Sequence, residues 1–468
     1  MRIAQFSPPF ADWSAATVAR DRVGALARLG VDCRLFIISQ GPSPDPDNPL
    51  FRYAEPFVDP ESTVAALRQY DPDWTIAALG GSLPIPQQVA LAKRSAPEAR
   101  IILDCHASDP TYLRQFIQPD VLESTAAMIA PAPSWAWLLS QVVPPGFPIG
   151  VARIGADPRF ASEPPPVSRP AKPIVLWVGR LDLVKNWRLM IDICARVSER
   201  IDVTFRILCD RSQLPELVRE ADSLIKSRGL RAHVQWPGTV PHREMPREYA
   251  AVAASGGCML VTTLSEGFGL AIHEAMAGGC PVVAGAARSV VDAVRPGETG
   301  WLYPINNAEA AAEAIVGLVT GEIPRERITR EATAFAANHT PEAGARDLLR
   351  LLGTPLESWP RPELPDYSRD QLVEQLRALW IQAAVLGTAV TQERDTVQWL
   401  HQEVAKRDET VAWLHGEVAQ RDETVRWLHG EVAQRDASIR SLHGEIARRD
   451  ATIGELVGES TSGDVQGH

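Results

Sequence analysis

Residues 264–284 read LSEGFGLAIHEAMAGGCPVVA, which places Glu266 and Glu274 eight residues apart with the turn Gly267-Phe268-Gly269 and a run of helix formers between them. Glycines in a turn let backbone N–H groups approach a ligand closely, and the helix that follows aims its partially positive N-terminus at the same place. The stretch reads as an anion cradle flanked by two carboxylates.

Working outward, Gly257 to Thr263 (GCMLVTT) is a short apolar run suited to a buried strand. Gly278-Gly279 closes the helix, and Pro281 to Ala284 reads as the next buried strand. Strand, Gly-rich turn, helix and strand make half of a doubly wound nucleotide-binding sheet, with the turn at the strand's carboxyl end.

This stretch resembles the Glu-x7-Glu signature of retaining glycosyltransferases of the two-domain GT-B fold, family 4 in particular, which use nucleotide-sugar donors. Two further segments carry the resemblance. Val178-Gly179-Arg180-Leu181 with Lys185-Asn186 is similar to the family's phosphate-binding segment, and Ile154-Gly155-Ala156-Asp157-Pro158-Arg159-Phe160 is similar to its interdomain segment. The implied fold class is α/β: two Rossmann-like domains facing a cleft.

Lys plus Arg number 47 against 58 Asp plus Glu, a formal charge of −11, which argues against nucleic acid or an anionic membrane as the main partner. The six cysteines are scattered without a C-x-x-C pair, so they read as reduced, buried small hydrophobes and not as zinc ligands. MRIAQFSPPF starts directly with a strand, and no apolar run reaches the length of a membrane span. A cytoplasmic location is expected, with a peripheral position at the inner face of a membrane as the variant.

In chain order, Arg2–Phe6, a helix over 15–29 closed by Gly30, and a strand over 33–38 form a β-α-β opening. The resembled family carries a Gly-Gly pair in its first loop; here residues 7–14 read SPPFADWS. Strands over 75–79 and 100–104 end at Gly80-Gly81-Ser82 and at Cys105-His106. His106 matches a histidine that the family places near the sugar's primary hydroxyl, the plainer reading being a solvated or capping histidine. Asp104 and Asp109 read as turn caps or as less specific crevice residues.

The proline-rich run 163–173 cannot form a helix and reads as a stiff connector between domains 1–165 and 174–353. The second sheet begins with Ile174–Val178, and its first loop carries Arg180 and Lys185 ahead of a helix over 188–200. Two fixed cations near a helix start suit a diphosphate, although a basic loop alone is usually solvated surface. Strands over 204–208 and 233–236 follow, with a helix over 214–226 between them. Trp236-Pro237-Gly238-Thr239-Val240-Pro241 resembles the family's loop against the nucleotide base. A helix over 247–254, a turn at 297–302 and a helix over 308–318 complete the domain, which Leu348–Leu352 closes.

Prolines 355, 360, 362 and 365 mark a linker over 354–367. From Thr396 the chain repeats every 14 residues, as in TVAWLHGEVAQRDE, within a helical segment 368–456 that precedes a disordered tail at 457–468. Two heptads per repeat predict a left-handed coiled coil with Val or Ile at a, Leu400, Leu414, Leu428 and Leu442 at d, and Arg at the alternate d positions. That pattern favours a parallel dimer, with a trimer open. Trp399, Trp413 and Trp427 then share position c, either as a docking face for a protein or membrane surface or as tryptophans lying over neighbouring side chains.

The resemblance implies a retaining, metal-independent hexosyltransferase acting on a saccharide or lipid-linked acceptor, in surface polysaccharide or glycan synthesis. No metal and no cofactor is expected, the nucleoside-diphosphate sugar being a co-substrate. It further implies that Arg180, Lys185, Glu266 and His106 serve the reacting groups. Gly179, Gly238, Gly267, Phe268, Gly269, Leu270 and Glu274 hold the donor, with Glu274 on the ribose. The competing readings are a coiled-coil scaffold with an inactive transferase module, a GT-B-like sugar-nucleotide epimerase, and a phosphorylase, for which no pyridoxal-phosphate lysine is identifiable.

Overall fold

The computed structural model describes residues 1–7, 14–38, 54–57, 60–78, 83–106, 116–162, 169–211 and 215–363, with 435 and 444 alone beyond them. The chain divides into units Met1–Val385 and Leu386–His468, and nearly all described residues belong to the first. The SPPFADWS loop beyond Ser7, Gly80-Gly81-Ser82, Asp109, residues 163–168, the repeat segment and the three repeat tryptophans lie outside the described residues.

Two parallel sheets organise the rest. The first contains β1 (Arg2–Phe6), β2 (Asp32–Ile38), β3 (Ala54–Phe57), β4 (Trp74–Ala78), β5 (Arg100–Asp104), β6 (Ala127–Ala130) and β7 (Ile149–Val151), in the spatial order β3-β2-β1-β4-β5-β6-β7. The second contains β8 (Ile174–Val178), β9 (Thr204–Leu208), β10 (Val234–Gly238), β11 (Cys258–Val261), β12 (Val282–Gly285) and β13 (Trp301–Tyr303), in the order β10-β9-β8-β11-β12-β13. Both orders reverse beside the first strand of their sheet, where doubly wound folds bind ligands.

The apolar runs follow from helices covering both faces, since a strand buried on two sides needs no polar alternation. Ala4 and Phe6 enter one core cluster and Ile3 the opposite one. In the second sheet Val175 and Trp177 face one cluster, Ile174 and Leu176 the other. All six cysteines are free and buried.

After the second sheet the chain crosses back to the first domain. Leu348, Leu351 and Leu352 of the helix Pro341–Leu352 pack with Ile3, Val23 and Trp74 of the first domain. Arg153 Nε and Nη2 donate to Asp347 at 2.5 and 3.0 Å. The sequence reading assigned this helix to domain 174–353, yet its apolar stripe is spent on the first domain. Trp359, inside the stretch read as linker, is also buried there and donates Nε1–H to Leu351 O at 3.0 Å. The crossing is close: a Cβ on Gly155 would stand 1.9 Å from His339 O.

Candidate donor-binding site

β8 leads into the cation loop. Asp182 organises it, accepting from Lys185 N at 2.8 Å and from Arg180 Nε at 2.8 Å. Asn186, at φ 51°, then starts the helix Trp187–Ser198. The loop after β11 is laced to this one. Thr262 Oγ1 accepts from Trp177 Nε1 at 2.9 Å and donates to Lys185 O at 2.7 Å, while Leu264 N donates to Val184 O at 2.8 Å. Lys185 Nζ and Glu266 Oε1 meet across the seam in a direct ion pair. The backbone bonds therefore fix a lysine and a carboxylate drawn from two different strand ends.

Gly269, at φ 80°, caps the helix Leu270–Ala277 in the left-handed region open to glycine. Behind the turn the Phe268 ring stacks on His273, centroids 4.0 Å apart, and Phe268 also packs with Val18 and Ile154 of the first domain. His273 Nδ1 bonds Gly269 O at 3.1 Å, so Nδ1 carries the proton. Burial, with His339 nearby, brings the His273 pKa down to about 3, leaving the ring neutral at neutral pH.

Glu274 faces elsewhere. It is buried, and its Oε1 lies 2.6 Å from His242 Nε2 while Tyr249 OH donates to Oε2 at 3.3 Å. Arg159 Nη2 stands 2.7 Å from the other ring nitrogen, His242 Nδ1. Sequence reasoning passed over these partners. Its nearest signals are Arg159 inside the interdomain segment and the loop after Gly238, where the resemblance points to Gly238 as a donor-binding residue and not to His242, four positions on.

The first domain supplies His106, two residues beyond the end of β5 at Asp104. Asp104 is fully enclosed, with Arg22 Nη1 donating to Oδ2 at 2.5 Å and His106 Nδ1 at 3.3 Å from Oδ1, a distance without hydrogen-bond alignment. Burial would raise the Asp104 pKa, but the neighbouring Arg22 guanidinium, with His106 acting in the same direction, outweighs it and holds the carboxyl well below its usual range. Of the two readings the sequence left open for Asp104, turn cap or crevice residue, the structure shows a buried carboxylate paired with Arg22 beneath His106.

A cavity of about 160 Å³ gathers His106, Arg180, Lys185, Glu266 and the Gly267 to Leu270 turn on one wall system. Gly179, Gly238 and Glu274 lie off that wall: Gly179 precedes Arg180 beneath Trp177, and Gly238 ends β10 four residues before the His242 that holds Glu274. On the other side of Phe268 a wider space of about 680 Å³ opens between the domains. Among the described residues no cluster of three His, Cys, Asp or Glu could hold a metal, and no helix is long and apolar enough to cross a membrane.

Residues 160–335 match the family described as glycosyl transferases group 1. The chain is 29% identical over 215 residues to the provisionally named colanic acid biosynthesis glycosyltransferase WcaL of Escherichia coli (strain K12), covering 44% of this chain and 49% of that one. It is 26% identical over 308 residues to the D-inositol 3-phosphate glycosyltransferase of Rhodococcus erythropolis, covering 64% of this chain and 62% of the relative. The chain spans about half the length of the curated relatives it matches. In fold it is similar to Anabaena Alr3699/HepE, solved in complex with UDP and glucose, with a TM-score of 0.61 at 18% identity over 75% of this chain and 99% of that one. Both domains of the chain therefore share the GT-B architecture.

Proposed function

We propose that the chain, whose residues 160–335 match the glycosyl transferases group 1 family, moves a hexose from a nucleoside-diphosphate sugar to a saccharide or lipid-linked acceptor with retention of configuration and without a metal. The observation that carries this reading is the meeting of Lys185, Arg180, Glu266, His106 and the Gly267–Leu270 turn around one cavity at the carboxyl ends of β5, β8 and β11. During transfer the bond from the anomeric carbon to the diphosphate breaks and the acceptor oxygen bonds to the same face. Negative charge grows on the departing diphosphate. Lys185, Arg180 and the turn's backbone N–H groups are the fixed donors that stabilise it, and a diphosphate oxygen takes the acceptor's proton. Glu266 contacts the sugar hydroxyls, His106 its primary hydroxyl, and Glu274 the ribose; neither glutamate acts as a nucleophile.

The Lys185–Glu266 pair supports this assignment because a preformed cation costs no reorganisation when charge develops. Lys185→Ala and Arg180→Ala should each lower kcat/KM on the order of 10²-fold, measured as nucleoside diphosphate released with unchanged melting temperature. Near-normal turnover in both would remove these residues from the mechanism. We also propose that the 14-residue repeats join chains into a parallel dimer or trimer in the cytoplasm, and that the Trp399, Trp413 and Trp427 face docks a protein or membrane surface. The repeats' heptad pattern supports this.

A further inference from the structure

Glu274 is one end of a chain of polar contacts that begins in the interdomain segment. Arginine carries donors only, so a guanidinium nitrogen 2.7 Å from His242 Nδ1 makes that nitrogen the acceptor. The proton of a neutral His242 must then sit on Nε2, which faces Glu274 Oε1 at 2.6 Å and donates to it. The groups that face His242 are Arg159, Glu274 and the Phe160 ring, whose centroid lies 5.4 Å away. On the far side of the carboxylate, Tyr249 is held protonated by burial and by Glu274 itself, and remains a donor to Oε2.

Residues from three places in the chain converge here: Arg159 from the 3₁₀ turn Pro158–Phe160, His242 from the loop after β10, and Glu274 from the helix after the Gly turn. The turn holding Arg159 is itself fixed, since Asp157 Oδ1 accepts from Arg159 N at 2.9 Å. A carboxylate buried to this degree is costly unless hydrogen-bonded, and each of its oxygens accepts more than one bond. Two protein donors therefore fix its plane while leaving acceptor capacity for a ligand.

We infer that Arg159 and His242 are positioning residues for donor binding: Arg159 selects the tautomer of His242, and His242 holds the Glu274 carboxylate in the orientation that receives the donor nucleotide. The inference rests on the reading of Glu274 as a donor-binding residue. It ties the interdomain segment to the nucleotide through two side chains, neither of which needs to touch the sugar.

The test is calorimetric titration of the chain, residues 1–468, with UDP, GDP and ADP, carrying the tightest of the three into the variants. His242→Leu keeps bulk and loses the donor, and should weaken binding about tenfold or more; His242→Gln restores an N–H toward Glu274 and should return to within about threefold of the parent. Arg159→Met should weaken binding several-fold. The double variant Arg159→Met/His242→Leu should bind no more weakly than His242→Leu alone, because one residue acts through the other. Glu274→Ala separates the two readings. If it weakens binding while His242→Leu does not, or if Gln is as poor as Leu, or if the double variant is additive, the positioning relay is overturned. If Glu274→Ala binds normally, or no nucleotide binds the parent, the donor-site reading falls and takes the relay with it.

Discussion

Arg22 and Asp104 show what a single buried pair does in this molecule. Both are almost fully enclosed, and the carboxylate ties helix Ser14–Arg28 to the strand end that presents His106. Removing one partner leaves an uncompensated charge, so Arg22→Met should lower stability by about 3–5 kcal/mol, read by denaturant unfolding. Buried histidines and carboxylates both contribute to the pH response. His273 has an ordinary value of 6.5 and a folded value of about 3, so between those two the unfolded chain binds the extra proton and stability falls as pH falls. His339, also depressed by burial, acts in the same direction. The depressed Asp104 contributes stability above its ordinary 3.8, lost as pH drops through its lower folded value. His273→Phe, which keeps a ring against Phe268, should flatten the slope in the 6.5-to-3 window by up to about 1.4 kcal/mol per pH unit; an unchanged slope would assign the acid sensitivity elsewhere. At this scale the sequence disclosed Glu266 and Glu274 because they share one local motif. It did not disclose Arg22, His242 or Tyr249, since the pairs they make join residues 82, 32 and 25 positions apart.

Strands and helices were legible where burial left a one-dimensional trace. Arg100–Asp104, Ile174–Val178 and Thr204–Leu208 have the bounds expected from their apolar runs. Ala127–Ala130 is four residues and Ile149–Val151 three, too short for periodicity to register, and Ala54–Phe57 sits at the sheet edge with a proline inside it. In the sequence, residues 348–352 mark only the close of the globular part, because the amphipathic stripe of the helix Pro341–Leu352 does not say which domain it covers. Its crossing depends on close backbone approach at Gly155. Gly155→Ala puts a Cβ on the His339 carbonyl, and overpacking of this kind should lower stability by about 1–3 kcal/mol and loosen the crossing. Faster hydrogen exchange over residues 341–352 and 359 is the expected signature; unchanged exchange there would mean the backbone adjusts freely.

At the level of the molecule, two doubly wound domains are joined by the segment carrying Arg159 and closed by the returning helix. The cavity with His106 on one side and Lys185, Arg180 and Glu266 on the other is built from both domains, so neither domain alone should transfer sugar. The repeats add a length scale. If the proposed coiled coil forms, each repeat adds about 21 Å at 1.5 Å per residue, and deleting one keeps the heptads in register. Light scattering should show an oligomer for the full chain and a monomer after removal of residues 368–468; the same mass state for both, if monomeric, would contradict assembly through the repeats. The central claim is retaining transfer from a nucleotide sugar, and its most direct measurement is incubation of the full chain with UDP-, GDP- and ADP-sugars and acceptor saccharides, following nucleoside diphosphate release and the product's anomeric signal by NMR, with and without chelator. Release from one donor class, a product with the donor's anomeric configuration and indifference to chelator are the predicted result. An inverted anomer, a metal requirement, or no release from any donor would contradict it.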